Sequence, residues 1–295
     1  MMEQPNILRI GSRESRLAVL QAEIVMQAIR RAHPQLKLEL VTMKTTGDRF
    51  LDRSLESLGG KGVFVKELDL ALAQGRIDLA VHSLKDMPLQ QPEGLPILAF
   101  SKREDPRDAL VLPLEKRDPQ KPVGCSSLRR QLQLKALLES GCAPVRGNIL
   151  TRLEKLDRGE YSALVLAAAG LKRAGLQGRV SRYFSPEELL PAAGQGILAV
   201  QGRAGEWGEV LACIHDRDAA DAAAAERAFI RALDGGCTSP VAAYAQPDGG
   251  QLCLTGLYVP PGGEECFRQK ITGPREEAAR LGETLALEMK RRYGP

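Results

Sequence analysis

VFVKELDLALAQGRIDLAVHSLKDMP, residues 63–88, is the stretch whose reading decides the fold. Val63–Gln74 reads as a helix stopped by Gly75 at its C-terminal cap, and Ile77–Leu84 (IDLAVHSL) follows as a buried strand. A helix leading directly into an apolar strand is one half of a β-α-β rhythm, which predicts an α/β domain with a mainly parallel sheet. The strand runs out into a Pro-containing loop at Lys85-Asp86-Met87-Pro88. Ligands of open parallel sheets bind at the C-terminal ends of strands, so Lys85 and Asp86 stand where a site is expected. The plain alternative is a solvated Lys-Asp pair at a strand end.

Towards the N-terminus the pattern holds. Asn6–Ile10 and Lys37–Met43 read as strands, and Ser15–Arg31 carries apolar residues at helical spacing. Past the Pro/Gly-rich stretch Met87–Pro96, the strand-like Ile97–Phe100 leads into the charged segment Ser101–Asp108, a predicted linker. A second β-α-β-α-β series then runs through Val123–Cys125, a helix over Ser127–Glu139, a strand at Pro144–Arg146, a helix over Ile149–Arg158 capped by Gly159, and a strand at Ser162–Ala167. Ala192–Gly196 (AAGQG) precedes the strand-like Ile197–Gln201, and its glycines suit a hinge returning the chain to the first domain. Two such crossings predict a cleft. An Ala-rich helix over Ala219–Leu233, strands at Val241–Ala245, Leu252–Val259 and Phe267–Ile271, and a helix over Pro274–Arg292 make a small α+β tail.

The chain has 295 residues, of which 43% are hydrophobic and 26% charged, so it is long enough for several cores and is neither disordered nor fibrous. Aromatic residues are only 4%, which leaves few stacking platforms for single-stranded nucleic acid or sugars. A net charge of +4 with no dense basic stripe weighs against duplex nucleic acid as a partner. The longest uncharged apolar run, Ser162–Leu171, is far below the ~20 residues of a membrane span. Met1–Ile10 lacks the pattern of a secretory signal, so a cytoplasmic protein with reduced cysteines is expected. The six cysteines form no CxxC pair and the three histidines no HxxxH pair, so no metal is expected.

Cationic side chains recur at loops and helix starts: Arg13, Lys61, Lys85, Arg129, Arg130, Arg146, Arg152 and Arg173. Ser126 and Ser127, just before a helix, add hydroxyls and free N–H groups suited to an anion. Any one of these cations is better read as a solvated face, but the set describes a cleft for a polyanion. Gly59–Gly62 lacks the spacing of a P-loop, and Gly194-Gln195-Gly196 lacks the third glycine of a dinucleotide fingerprint, so a polycarboxylate is the better ligand. Cys237 follows the flexible turn Asp234-Gly235-Gly236 and so is placed to project from a loop; with no histidine nearby in sequence, an anchoring role is as open as a nucleophilic one.

These motifs in this order resemble the porphobilinogen deaminase family: GSRESRLA (Gly11–Ala18), GGKGVFVKEL (Gly59–Leu68), DLAVHSLKDMP (Asp78–Pro88), REDPRDA (Arg103–Ala109), SSLRRQ (Ser126–Gln131), RGN and TR within Arg146–Arg152, AAGLKR (Ala168–Arg173), AAGQG and GGC. The resemblance implies an α/β fold of two periplasmic-binding-protein-like domains plus a small C-terminal α+β domain. With the segments above, the expected domains are 1–99 with 197–216, then 100–196, then 217–295. It implies an enzyme that condenses four porphobilinogen molecules head to tail with loss of ammonia, on a dipyrromethane cofactor held by a thioether to Cys237, and then releases hydroxymethylbilane by hydrolysis.

The resemblance also implies residue roles. Asp86 becomes the catalytic carboxylate, contacting the pyrrole N–H and stabilising the electron-poor azafulvene left when ammonia departs. Ser83, Lys85, Asp86, Ser127, Arg129 and Arg130 would hold the cofactor, and Arg13, Ser15, Lys61, Arg146, Arg152, Arg173 and Gln195 the porphobilinogen and the growing oligopyrrole, whose acetates and propionates need a basic cleft. A monomer without nucleic-acid or membrane partners is implied. Two residues depart from the family's usual pattern: Cys125 stands where Thr is usual, removing a hydroxyl from the carboxylate-binding loop, and Gln201 stands where Glu is common, which would alter a charge at a domain interface. The competing readings are a bilobed carboxylate-binding protein without catalysis and a DNA-binding regulator, the latter lacking any helix-turn-helix segment.

Overall fold

The computed structural model describes residues 7–45, 65–135, 137, 141–235 and 240–294. By its contacts the chain divides into two compact units: one runs to Arg103 and resumes over Ile197–Ala220, the other comprises Glu104–Gly196 and the chain from Asp221 onward. In chain order the elements are β1 (Ile7–Arg13), α1 (Arg16–Ala32), β2 (Lys37–Met43), α2 (Lys66–Ala73), β3 (Leu79–Ser83) and β4 (Ile97–Phe100). They continue as β5 (Asp108–Val111), β6 (Val123–Gly124), α3 (Leu128–Leu134), β7 (Cys142–Ala143), α4 (Ile149–Asp157), β8 (Ala163–Ala167), α5 (Ala168–Arg173) and β9 (Val180–Tyr183). Then come β10 (Leu198–Gly202), α6 (Gly208–Leu211), α7 (Arg217–Ala232), β11 (Ala242–Asp248), β12 (Gln251–Tyr258), β13 (Phe267–Pro274) and α8 (Ala278–Tyr293).

The sheet of the first unit has the order β2-β1-β3-β10-β4. β1 pairs in parallel with β2 and β3, while β10 runs antiparallel to both β3 and β4. Helices cover both faces, which is why β3 reads as a continuous apolar run rather than an alternating one. Leu79 and Val81 point to the face packed by Val25, Met26 and Ile29 of α1, and Ala80 to the face packed by Leu68 and Leu72 of α2. Ser15 caps α1 by accepting the Ala18 N–H, and Arg30 and Arg31 in the last turn complement the helix dipole. Gly75, with φ of +67°, ends the helix that leads into β3.

The second unit repeats the plan with the order β7-β6-β8-β5-β9, β5 running antiparallel to β8 and β9. Leu164 and Leu166 of β8 face Leu153, Leu156 and Leu171, whereas Ala163 and Val165 face Leu134 with Phe184 and Leu189. The same unit contains the antiparallel sheet β11-β12-β13, whose Ala242, Leu257 and Val259 pack with Leu190. The fold is therefore of the expected α/β class: two helix-covered sheets of the same plan and a small C-terminal antiparallel sheet with its helices.

Three local differences from the sequence reading have physical causes. The strand expected at Pro144–Arg146 lies at Cys142–Ala143, because Pro144 has no N–H for the ladder and the Val145 N–H goes to Ser126 Oγ at 3.0 Å. β9 was not apparent in the sequence, since it is a short strand at the sheet edge whose Ser181 and Arg182 are exposed. Asp108, read as the last linker residue, is the first residue of β5 and fully buried.

α7 and α8 pack closely, for a Cβ on Gly282 would come 2.2 Å from the Ala225 carbonyl oxygen. Only a residue without a side chain permits this approach. Gly282→Ala is expected to cost about 1–3 kcal/mol by forcing the helices apart, read from the midpoint of urea unfolding. An unchanged midpoint would show that the two helices are not so closely seated.

Candidate active site

The first unit presents one group of predicted residues at the C-terminal edge of its parallel strands. Ile10 lies opposite Leu79 and Gly11 opposite Ala80, so β1 and β3 bring Arg13 and Ser83 to the same edge. Ser83 exchanges hydrogen bonds with the buried Gln21 of α1, at 3.0 and 3.2 Å. Ser15 spends its hydroxyl as the α1 cap described above. Beyond β3, Leu84–Asp86 form a 3-10 turn pinned at both ends: Leu84 is buried and donates its N–H to the Ile197 carbonyl at 3.0 Å, and the buried Met87 donates to the Leu84 carbonyl at 3.1 Å. Two apolar anchors thus leave Lys85 half-buried and Asp86 exposed to a ligand.

Behind that edge lies a polar network that sequence reasoning missed. His82, 6% exposed, donates from Nε2 to Gln201 Oε1 at 3.1 Å; Gln201 in turn donates to Asp69 Oδ1 at 3.0 Å and to the Leu95 carbonyl at 3.1 Å. Burial lowers the His82 imidazole to about 4, the Gln201 hydrogen bond opposing and the Arg13 charge assisting. Burial also raises the Asp69 carboxyl, against its hydrogen bond from Gln201. The hydrogen-bond partners of Gln201, which the sequence reading set at a domain interface, all lie in the first unit. Gln201 is fully buried, joining β10 to β3 and α2, and an amide there donates to a carboxylate and accepts from an imidazole without needing a proton of its own.

In the second unit the predicted pair Arg129 and Arg130 is drawn inward, at 4% and 7% exposure, onto one carboxylate. Arg129 Nη2 lies 2.9 Å from Asp108 Oδ2 and Arg130 Nη2 lies 2.7 Å from Oδ1. Gln195 Nε2 also donates to Asp108 Oδ1 at 2.9 Å, and to the Pro106 carbonyl at 2.7 Å. Burial alone would raise the Asp108 pKa, but the two guanidinium charges and their hydrogen bonds overrule it and hold the carboxyl far below the usual range. Arg129 Nη1 reaches the Leu190 carbonyl at 2.6 Å, and Gln133 closes the same loop by accepting the Leu190 N–H at 2.8 Å and Arg268 Nη2 at 2.6 Å. Neither Asp108 nor Gln133 had been assigned a role; the only sequence signal was the position of Asp108 inside the REDPRDA motif.

Of the remaining predicted residues of this unit, Ser126, Ser127 and Arg146 lie on loops, and Arg152 and Arg173 on α4 and α5. Ser126 exchanges hydrogen bonds with the Val145 backbone, whereas the Ser127 hydroxyl makes no capping bond to α3. Gly147 has φ of +111°, and a Cβ there would lie 2.8 Å from the Thr151 side chain. Asn148 next to it caps α4 through the N–H groups of Leu150 and Thr151, and Arg152 folds back to the Gly147 carbonyl at 2.8 Å. Arg146, half-buried, stands just before this turn. Arg173, at the end of α5, donates to the Gly196 carbonyl at 2.6 Å, and burial pulls its guanidinium down to about 10 against the Glu104 charge. The structure thus brings Arg129, Arg130 and Gln195 together on Asp108, and Arg13 with Ser83 at one edge. Lys61 and Cys237 lie outside the described residues; Gly235 does not, and a Cβ there would meet Val241 at 2.9 Å.

The buried histidine makes stability depend on pH. A histidine in the unfolded chain titrates near about 6.5, whereas His82 in the fold is held at about 4. Between those values the unfolded chain binds a proton that the folded chain refuses, so stability is full above about 6.5 and declines as the pH falls towards about 4. His82→Gln is expected to flatten that acid slope by roughly 3 kcal/mol across the window, measured by urea unfolding at several pH values. An equally steep slope in the variant would place the titrating group elsewhere.

Comparison with known proteins shows the family to which the chain belongs. Residues 8–208 match the family model described as porphobilinogen deaminase, dipyromethane cofactor binding domain, and residues 220–291 match the porphobilinogen deaminase C-terminal domain. The porphobilinogen deaminase of Alkaliphilus oremlandii is 54% identical over 286 residues, covering 96% of this chain and 96% of its own. That of Acetivibrio thermocellus is 54% identical over 286 residues, covering 96% and 97%. Among solved structures, the periplasmic aliphatic sulphonate binding protein SsuA from Escherichia coli is similar over 78% of this chain and 71% of its own, at 15% identity and a TM-score of 0.42. With both family models matched in order along one chain, this protein belongs to the porphobilinogen deaminase family.

Proposed function

We propose that this chain is a hydroxymethylbilane synthase in which Asp86 is the catalytic carboxylate and Cys237 the anchor of the cofactor. The observation that carries the reading is the 54% identity to a porphobilinogen deaminase across 286 residues, spanning 96% of both chains. The proposed division of labour follows three domains, residues 1–99 with 197–216, 100–196 and 217–295, of which the first supplies Asp86 and the last Cys237.

The residues fit a dipyrromethane, whose acetates and propionates are hydrogen-bond acceptors. Arg129 Nε is buried and has no hydrogen-bond partner among the described residues, and such a donor is stabilised by an anionic acceptor. Arg129, Arg130 and Ser127 of the second unit and Ser83 and Lys85 of the first would hold the group, with Cys237 bonded to it through a thioether. When bound, dipyrromethane supplies the pyrrole carbon on which the product chain is built. The chain's own part is to bind carboxylates, through Arg13, Ser15, Lys61, Arg146, Arg152, Arg173 and Gln195, and to manage one cation. Asp86, exposed on its pinned turn, accepts the pyrrole N–H of the incoming porphobilinogen, steadies the positive charge that forms as ammonia leaves, and takes up the proton released on coupling. No described helix is long and apolar enough to cross a membrane; the enzyme is proposed to work as a cytoplasmic monomer without a nucleic-acid or membrane partner.

Asp86→Asn is expected to keep the fold and lose at least about 100-fold in turnover, since it retains the shape but not the charge or basicity. Normal rates would remove Asp86 from the chemistry. For the anchor, the intact mass of the purified protein should exceed the sequence mass by two porphobilinogen units less two ammonias, and Cys237→Ser should lack that increment. Bare mass in both proteins, unchanged after incubation with porphobilinogen, would return the chain to a carboxylate-binding protein without catalysis.

A further inference from the structure

Cys125 and Cys142 are brought together by the second unit's sheet. β6 and β7 run parallel with Val123 opposite Cys142 and Gly124 opposite Ala143, and the Cys125 N–H extends the ladder to the Ala143 carbonyl at 2.8 Å. Side chains on a strand alternate faces, so Cys125 shares the face of Val123 and therefore of Cys142. Both pack against the same cluster, with Val123, Leu134, Ala163, Val165, Phe184 and Leu189. The Cys125 thiol donates to the Ser127 carbonyl at 3.7 Å, and the two thiols are near enough for each to shift the other's ionisation. Neither thiol has a part in the reaction proposed above.

We propose that Cys125 and Cys142 form a two-thiol modification site that a peroxide converts to an intramolecular disulfide, tying β6 to β7 at the root of the Ser126-Ser127 loop. One thiolate attacks the peroxide O–O bond, giving a sulfenic acid; the second thiol displaces water from that sulfur. Two S–H bonds are lost and one S–S bond forms, while the peroxide accepts two electrons and ends as two waters. The chemical setting suits the first step. The neighbouring Cys142 thiol and, against burial, the Arg130 and Arg129 charges hold the Cys125 thiol below its usual range, which favours the thiolate there. Cys142 is partly exposed and offers the route by which peroxide reaches the pair.

The bridge has a consequence for the enzyme. Residues two positions apart along adjacent strands stand diagonally, farther apart than a relaxed disulfide spans, so closing the bond draws Cys125 towards β7. Ser126, Ser127 and the helix bearing Arg129 and Arg130 follow directly in the chain. On the functional reading above, oxidation therefore lowers turnover, and reduction restores it.

The test uses the holoenzyme, treated with hydrogen peroxide, alkylated and digested with trypsin. The two cysteines fall in separate tryptic peptides, residues 118–129 and 136–146, each with a single cysteine, because Pro122 protects the Lys121 bond. The expected product is these two peptides joined, lighter by two hydrogens than their sum, absent after dithiothreitol and absent in Cys142→Ser. Turnover should fall in proportion to the bridged fraction and recover with dithiothreitol, while Cys142→Ser should resist the loss. Sulfinic or sulfonic acid at either cysteine without the joined pair, or an unmodified pair under conditions that oxidise the exposed Cys213, would overturn the site. A joined pair with undiminished turnover would overturn its link to the loop. A protein with no turnover before oxidation would fail the functional reading instead, and the peptide map would still judge the bridge.

Discussion

One buried carboxylate organises the second unit. Asp108 takes hydrogen bonds from Arg129, Arg130 and Gln195, and those three come from the start of α3 and from the AAGQG segment. Burying a guanidinium costs several kcal/mol unless it is paired and its other donors are met, and removing a partner from such a group typically costs about 3–5 kcal/mol. The carbonyls of Leu190 and Val165 meet some of the remaining donors. Two guanidiniums on one carboxylate still leave positive charge in excess among these groups. That excess, in a low-dielectric interior, attracts an anionic ligand far more strongly than the same arginines would on a solvated surface.

The first unit solves a similar problem with neutral groups. His82, Gln201 and Asp69 link β3, β10 and α2 in a chain of hydrogen bonds immediately behind the turn that exposes Asp86. Gln201 is suited to this place because its amide donates on one side and accepts on the other. A carboxylate at the same position would face Asp69 and need a shared proton. The turn itself depends on apolar anchoring, with Leu84 and Met87 buried on either side of Lys85-Asp86. Packing places the backbone, and the polar network keeps the strand behind it in register.

The two sheets have the same plan but are assembled in different chain order. In both, one strand runs against four, and in the first unit that strand is β10, which the chain reaches only after completing β5 to β9. The first sheet therefore cannot close until the chain has left it and returned. Gly194 and Gly196, with φ of +72° and +91°, provide the left-handed backbone at the return, and Arg173 and Gln195 hold that segment through hydrogen bonds. Residues expected to touch substrate thus also fasten the connecting segment.

Much of this was legible in the sequence, and the reason is local. Helices α1 and α4 are written in apolar spacing, and Gly75 and Gly159, with positive φ, mark the ends of α2 and α4. The ordered motifs identified the family and pointed to Asp86 at the end of β3. What only the tertiary structure decided concerns pairings between residues far apart in the chain. Asp108 looked like a linker charge because its partners are 21, 22 and 87 positions away. Gln201 likewise finds His82 and Asp69 more than a hundred positions away, and the juxtaposition of Cys125 and Cys142 depends on the register of two strands of two residues each. Propensity and capping act within a few residues and so can be read from the sequence; the partner of a buried charge or thiol is set by which strands lie side by side, and that is known only once the sheet has closed.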